Sequence, residues 1–199
     1  TNAKLEKLER LKSEFISIVS HELRTPLTSI KNSLDILMSG RCGEITSSAD
    51  KFLSMAMRNV QRLSGIINDL LDLSKIEAGK MDFNFAPTNI NTVIGYVKSA
   101  LSEVAKSKGL NLLTEETENL PDINADAQRL EQVLTNLVSN AIKFTPENKT
   151  IKISSSIISY KDIKINEYFR DTIKLPEGDY IQVCVEDEGI GIASKDLLH

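Results

Sequence analysis

A chain of 199 residues with 41% hydrophobic content is long enough to bury one or two cores, and it holds no apolar run of membrane-spanning length. The net charge of −4 argues against a nucleic-acid surface, because phosphate backbones call for clustered Lys and Arg that this sequence lacks. Two cysteines, Cys42 and Cys184, give neither a disulfide framework nor a metal-ligand spacing and read as free thiols of a reducing cytoplasm.

Residues 1–10 are charged, and Leu5, Leu8, Phe15 and Val19 among them and just after predict a coiled-coil-like lead-in that merges into a longer helix. In that helix Phe15, Val19, Leu23, Leu27, Ile30, Leu34 and Leu37 recur at three-and-four spacing and draw one apolar stripe. At about 100° per residue, His21 projects roughly 180° from the centre of this stripe, among Ser17, Arg24, Thr28, Lys31 and Asp35. Pro26 predicts a local kink just beyond it. Residues 39–43 break the pattern, and a second amphipathic helix carries Phe52, Met55, Val60, Leu63, Ile67, Leu70 and Ile76. The two form an antiparallel hairpin whose stripes are too wide for one partner helix, which predicts a homodimer closed as a four-helix bundle.

From residues 77–80 onward strands and helices alternate, and a second domain begins. Residues 81–86 read as a strand, 90–107 as a helix, 110–114 as a strand, 122–124 as a short strand and 127–144 as a helix. Residues 150–158 and 180–186 alternate as strands, while 159–179, with Pro176 and Gly178 among many charges, is too long for a tight turn and reads as an insertion or an elongated hairpin. The fold class is an antiparallel helical hairpin forming a dimeric four-helix bundle, followed by an α+β sandwich.

Three groups of residues carry chemistry. His21 is an exposed imidazole beside the carboxylate of Glu22, which can hold the proton of one ring nitrogen while the other attacks; Thr25 lies one turn on, where its hydroxyl can orient a water. Asn136, Asn140 and Lys143 share one face of the helix 127–144, while Leu130, Val133, Leu134, Leu137 and Ala141 supply most of the buried side. Two amides and an ammonium in a row suit the phosphates of a nucleotide, and an amide oxygen is an acceptable Mg²⁺ ligand. Asp187, Gly189 and Gly191 end a strand; the glycines permit close backbone approach by a planar or phosphorylated ligand, and the carboxylate can accept from an exocyclic amine.

In this order the three groups resemble the sensor histidine kinases of two-component signalling: residues 20–27 match the H box, 136–145 the N box and 187–191 the first glycine box. The resemblance implies a dimerisation and histidine-phosphotransfer domain at 1–78 and a Bergerat-type catalytic ATP-binding domain at 79–199, which breaks off after the first glycine box and so reads as a truncated fragment. It implies ATP-dependent phosphorylation of His21 with Glu22 as acid/base, transfer to an aspartate of a response-regulator receiver domain, and a part for Thr25 in dephosphorylating that receiver. It further implies Mg²⁺ on Asn140, with Asn136 and Lys143 near the phosphates, adenine on Asp187, and Gly189 and Gly191 shaping the pocket floor. The segment itself is expected to lie in the cytoplasm without touching a membrane, its parent being either anchored or free. The competing readings are a dimeric phosphoacceptor and docking module without competent ATP binding, and an ATPase of the chaperone or mismatch-repair type; the H box argues against the latter.

Overall fold

A computed structural model describes residues 2–163 and 175–192. The chain divides into two compact units between Asp82 and Phe83. The first is a hairpin of two helices, α1 (Asn2–Met38) and α2 (Ser47–Glu77). Helix α1 carries the lead-in as continuous helix; the side chains of Leu5 and Leu8 lie outside the described residues. It also continues through Pro26, whose ring nitrogen leaves the Glu22 carbonyl without its usual donor one turn on. The side chain of Thr46 caps α2 by accepting from the Ala49 amide. At its other end Gly79 adopts φ +62°, and the Lys80 amide reaches back to the Lys75 carbonyl, which terminates the helix where the periodicity stops.

The hairpin interior is one side of a heptad pattern. Ser20, Leu27 and Leu34 of α1 are buried against Met57, Val60, Ile67 and Ser74 of α2. The second heptad line, Leu23, Ile30 and Leu37 on α1 and Leu63 and Leu70 on α2, remains exposed. The predicted stripe is thus split lengthwise: one edge packs within the hairpin, and the broader part faces out. Arg24 bonds Asn68 at 3.1 Å, and Lys12 bonds Glu77 at 3.0 Å, pinning the helices in antiparallel register.

The second unit combines two helices with a two-stranded and a three-stranded sheet. Strand β1 (Ala86–Thr88) pairs antiparallel with β3 (Ile123–Ala125), while β2 (Asn111–Glu116), β4 (Thr150–Ser159) and β5 (Asp179–Asp187) form a second sheet in the order β2-β4-β5. Its β2–β4 pair is parallel and its β4–β5 pair antiparallel. Helices α3 (Ile90–Ser107) and α4 (Ala127–Phe144) supply Ile94, Val97 and Val138 to a core closed by Ile151 and Ile153 of β4. Strands β4 and β5 stay paired as far as Ser159 and Asp179, followed by a 3₁₀ turn at Tyr160–Asp162. Residues 164–174, the middle of the expected insertion, lie outside the described residues.

The strand expected at 81–86 is displaced. Residues 81–85 form no ladder, and pairing starts at Ala86 with Pro87 inside it, against a partner strand far along the chain. The Asn84 amide instead donates to the Asp126 carboxylate at 2.8 Å, a side chain taking the place of a strand neighbour. The buried side of α4 differs too: Leu134, Val138, Ala141 and Ile142 are buried, whereas Val133 and Leu137 stay about half exposed. Those two border an apolar cavity of about 240 Å³ with Leu130, Ile181 and Val183, toward the start of β5 and away from Asp187.

Asp126 caps α4 by accepting from the Arg129 amide. Its carboxyl is held below the ordinary value, chiefly by the Asn84 amide and then by that of Arg129. A depressed carboxyl stabilises the fold above its unfolded value and loses that contribution as pH falls through the folded one. Asp126→Ala is therefore expected to lower the melting temperature at neutral pH by a margin that shrinks with acidification, as thermal melts across pH would read. Lys152 runs the other way: Glu115 first and then Glu186 raise its value, so its contribution holds below the ordinary lysine range and fades as alkali reaches the raised value.

Candidate functional site

The hairpin exposes one chemical group with a built-in partner. The side chain of His21 is 76% exposed and that of Glu22 77% exposed, with His21 Nδ1 3.5 Å from Glu22 Oε1. Both lie off the apolar heptad lines, as the helical spacing requires. The Thr25 hydroxyl donates to the His21 carbonyl at 3.4 Å, so its oxygen stands one turn from the imidazole and keeps its acceptor side open. A proton on Nδ1 directed at Glu22 leaves the Nε2 lone pair facing outward, the arrangement of a nucleophile.

In the second unit Asn136, Asn140 and Lys143 are exposed on the α4 face opposite Leu134, Val138 and Ala141. The Lys143 ammonium rests 4.8 Å from the centre of the Phe144 ring. The turn after β5 meets this end of α4 directly. The Asp187 carboxylate accepts from the Gly189 amide at 2.8 Å, and the Ile190 amide donates to the Phe144 carbonyl at 3.3 Å. A Cβ on Gly189 would displace the Asp187 carboxylate and crowd the Phe144 carbonyl at 3.0 Å, so a side chain there would disturb the turn. Gly191 adopts φ +68° with open space around it, so it is glycine for its backbone conformation.

Geometry therefore joins Lys143 on α4, through Phe144, to the 187–191 turn, with Asn140 one turn back on the same helix face. His21, Glu22 and Thr25 belong to the other compact unit. Sequence reasoning gave Glu188 no part. Its carboxylate accepts from the Thr150 amide at 2.8 Å and lies 3.8 Å from the Lys149 ammonium, fixing the turn to the start of β4. The signal available was its place between two motif residues, but the partner is distant in sequence.

The donor set also limits what metal could sit here. Among the described residues no group of three or more His, Cys, Asp or Glu side chains could hold an ion. An ion at α4 would have to rest on one amide oxygen plus ligands brought by a substrate, which suits Mg²⁺ on phosphate oxygens and does not suit zinc. Among the described residues no helix is long and apolar enough to cross a membrane.

Comparison with known proteins agrees with this division. Residues 11–79 match the His Kinase A (phospho-acceptor) domain, and residues 125–199 match the histidine kinase-, DNA gyrase B-, and HSP90-like ATPase domain. The chain is 39% identical over 195 residues to the non-motile and phage-resistance protein of Caulobacter vibrioides, covering 98% of this chain and 21% of that protein. It is 34% identical to the sensor histidine kinase GacS of Pseudomonas protegens, over 98% of this chain and 20% of that one. To the signal transduction histidine-protein kinase BarA of Escherichia coli it is 36% identical, over 87% of this chain and 19% of that one. The chain thus spans about a fifth of the length of these relatives. Among solved structures, full-length ShkA in complex with AMPPNP superposes with a TM-score of 0.66 at 25% identity, over 92% of this chain and 35% of that one. The histidine kinase AdeS of Acinetobacter baumannii gives 0.57 at 26% identity, over 89% and 77%. With a phospho-acceptor hairpin followed by an ATPase-type α+β domain, the chain belongs to the histidine kinases.

Proposed function

We propose that the chain is the core of an ATP-dependent protein-histidine kinase in which His21 is the phosphoacceptor. The observation that carries this reading is the outward-facing His21 imidazole with Glu22 at 3.5 Å from Nδ1, on a helix that matches a phospho-acceptor domain. Nε2 attacks the γ-phosphorus of ATP; an N–P bond forms, the bond to the β,γ-bridging oxygen breaks, and ADP leaves. Glu22 stabilises the imidazole proton on Nδ1 as the ring acquires positive charge. The phosphoryl group then moves from His21 to a carboxylate oxygen of an aspartate on a response-regulator receiver domain, and Thr25 helps to position water for its later removal.

On this reading residues 1–78 are the dimerisation and phosphotransfer domain and 79–199 the ATP-binding domain. Asn140 is the protein ligand for Mg²⁺, Asn136 and Lys143 face the phosphates, Asp187 accepts from the adenine amine, and Gly189 and Gly191 form the floor. Mg²⁺, when bound, supplies charge neutralisation at the phosphate oxygens. Support comes from the tie between the glycine turn and the Phe144 carbonyl, and from ShkA, whose structure was determined with AMPPNP. A reducing, ATP-containing compartment, the cytoplasm, accords with Cys42 and Cys184 as free thiols.

The split heptad pattern supports dimerisation. On both helices the exposed line lies on the same rotational side of the buried one, and because the helices are antiparallel this places both lines on one face of the hairpin. A second hairpin offering the same face would complete a four-helix bundle.

The test is incubation with γ-labelled ATP. We expect label that is lost in acid and survives alkali, as an N–P bond requires. Acid-stable label, the behaviour of a serine or threonine ester, would rule the reading out.

A further inference from the structure

The C-terminal end of α4 carries the residues proposed to face the phosphates, and its last four carbonyls need donors from outside the helix or from the residues just beyond it. Ala141 obtains one from the Thr145 amide at 3.0 Å. Phe144 obtains one from the Ile190 amide of the glycine turn at 3.3 Å. Ile142 cannot be served by residue 146, since that residue is a proline with no N–H. Its carbonyl and that of Lys143 are instead both taken by the ammonium of Lys108, at 2.6 and 2.8 Å.

Lys108 lies at the end of another helix. It is the C-cap residue of α3, and its own amide donates to the Val104 and Ala105 carbonyls. One residue therefore closes two helix ends, by its backbone on α3 and by its side chain on α4. The ammonium is half-buried, stands where the α4 dipole is negative, and makes two charge-assisted hydrogen bonds. The neighbouring backbone reinforces the junction: the Gly109 carbonyl accepts from the Asn148 amide at 2.9 Å, and the Asn111 amide donates to Lys149 at 2.9 Å.

We propose that Lys108 is a positioning residue for the nucleotide site. It replaces the donor that Pro146 withholds and so fixes the last turn of α4. That turn sets the Phe144 carbonyl on which the Ile190 amide rests, and hence the spacing between Asn140 and Lys143 on one side and Asp187 on the other. Lys108 itself touches none of these five residues' side chains in the hydrogen bonds described; it acts through the Ile142 and Lys143 carbonyls. The inference rests on the reading of this site as a nucleotide site.

The test compares the unaltered full chain with Lys108→Met, which keeps the stem and loses the donors, and Lys108→Arg, which restores donors. Asp126→Ala serves as a control that destabilises the other end of α4. The readouts are the ADP dissociation constant by calorimetry and hydrogen exchange at the Ile190 amide. We expect Lys108→Met to weaken ADP roughly tenfold, as loss of a supporting contact behind a binding group does, and to speed Ile190 exchange. Lys108→Arg should recover most of both, and Asp126→Ala should change neither.

Lys108→Met with unaltered ADP affinity and Ile190 exchange would overturn the proposal. So would an Asp126→Ala chain that weakens ADP as much as Lys108→Met does. Failure of the unaltered chain to bind ADP would overturn the nucleotide reading itself, a result distinct from either of these.

Discussion

His21→Gln is expected to abolish transfer of label from ATP, with the loss exceeding roughly a thousandfold because the attacking atom itself is removed. Glutamine preserves helix propensity and a polar, similarly sized side chain, so the hairpin should fold unchanged; circular dichroism would verify that. What it lacks is an sp² nitrogen lone pair able to bond phosphorus. Glu22→Gln is a graded version of the same experiment. Its amide still occupies the place 3.5 Å from Nδ1 but cannot stabilise a positively charged imidazole, and a fall of about 10²-fold or more in labelling rate is expected. Thr25→Ala separates the two halves of the cycle. Among the described residues its hydroxyl bonds the His21 carbonyl and not the imidazole, so labelling should persist at near its normal rate while release of phosphate from a receiver slows. Persistent label in His21→Gln would remove His21 as the acceptor, and unchanged receiver dephosphorylation in Thr25→Ala would withdraw its role.

What made His21 legible in the sequence was local geometry. An imidazole about 180° from an apolar stripe needs only the helical repeat to be placed, and the same holds for Asn136, Asn140 and Lys143 on α4. Helices α3 and α4 were legible to the residue for a related reason: their periodicity begins just after Asn89 and Asp126, which cap them, and α4 stops one residue short of Thr145-Pro146. Features with distant partners were hidden. The strand at Ala86–Thr88 depends on β3, the Asn84 amide on Asp126, Glu188 on the Thr150 amide, and the Lys108 ammonium on carbonyls 34 and 35 residues away. Ser20, which the apolar stripe did not include, is a small polar residue at a core heptad position beside Leu27 and Leu34. Side-chain type misled at Val133 and Leu137, apolar but half exposed beside a cavity.

The second large effect concerns the exposed heptad line. Ile30 is 49% exposed and Leu70 41% exposed, and in the proposed bundle both become core. A carboxylate forced into that core without a partner costs several kcal/mol, and about 3 kcal/mol already raises a dissociation constant by roughly two orders of magnitude. Since a two-fold interface repeats each substitution, every such change counts twice. Ile30→Glu and Leu70→Glu are therefore expected to yield monomers at concentrations where the unaltered chain sediments as a dimer. Leu27→Glu probes a different surface. Leu27 packs inside the hairpin, so this variant should unfold the hairpin itself, visible as lost helicity, where the other two retain it. Asp35→Ala, on the same polar side of α1 as His21, is the control and should leave the dimer intact. Retention of the dimer by both Ile30→Glu and Leu70→Glu would show that this face is not the subunit interface. The apolar line would then serve another helix, and the pairing of two His21 hairpins would have to be abandoned.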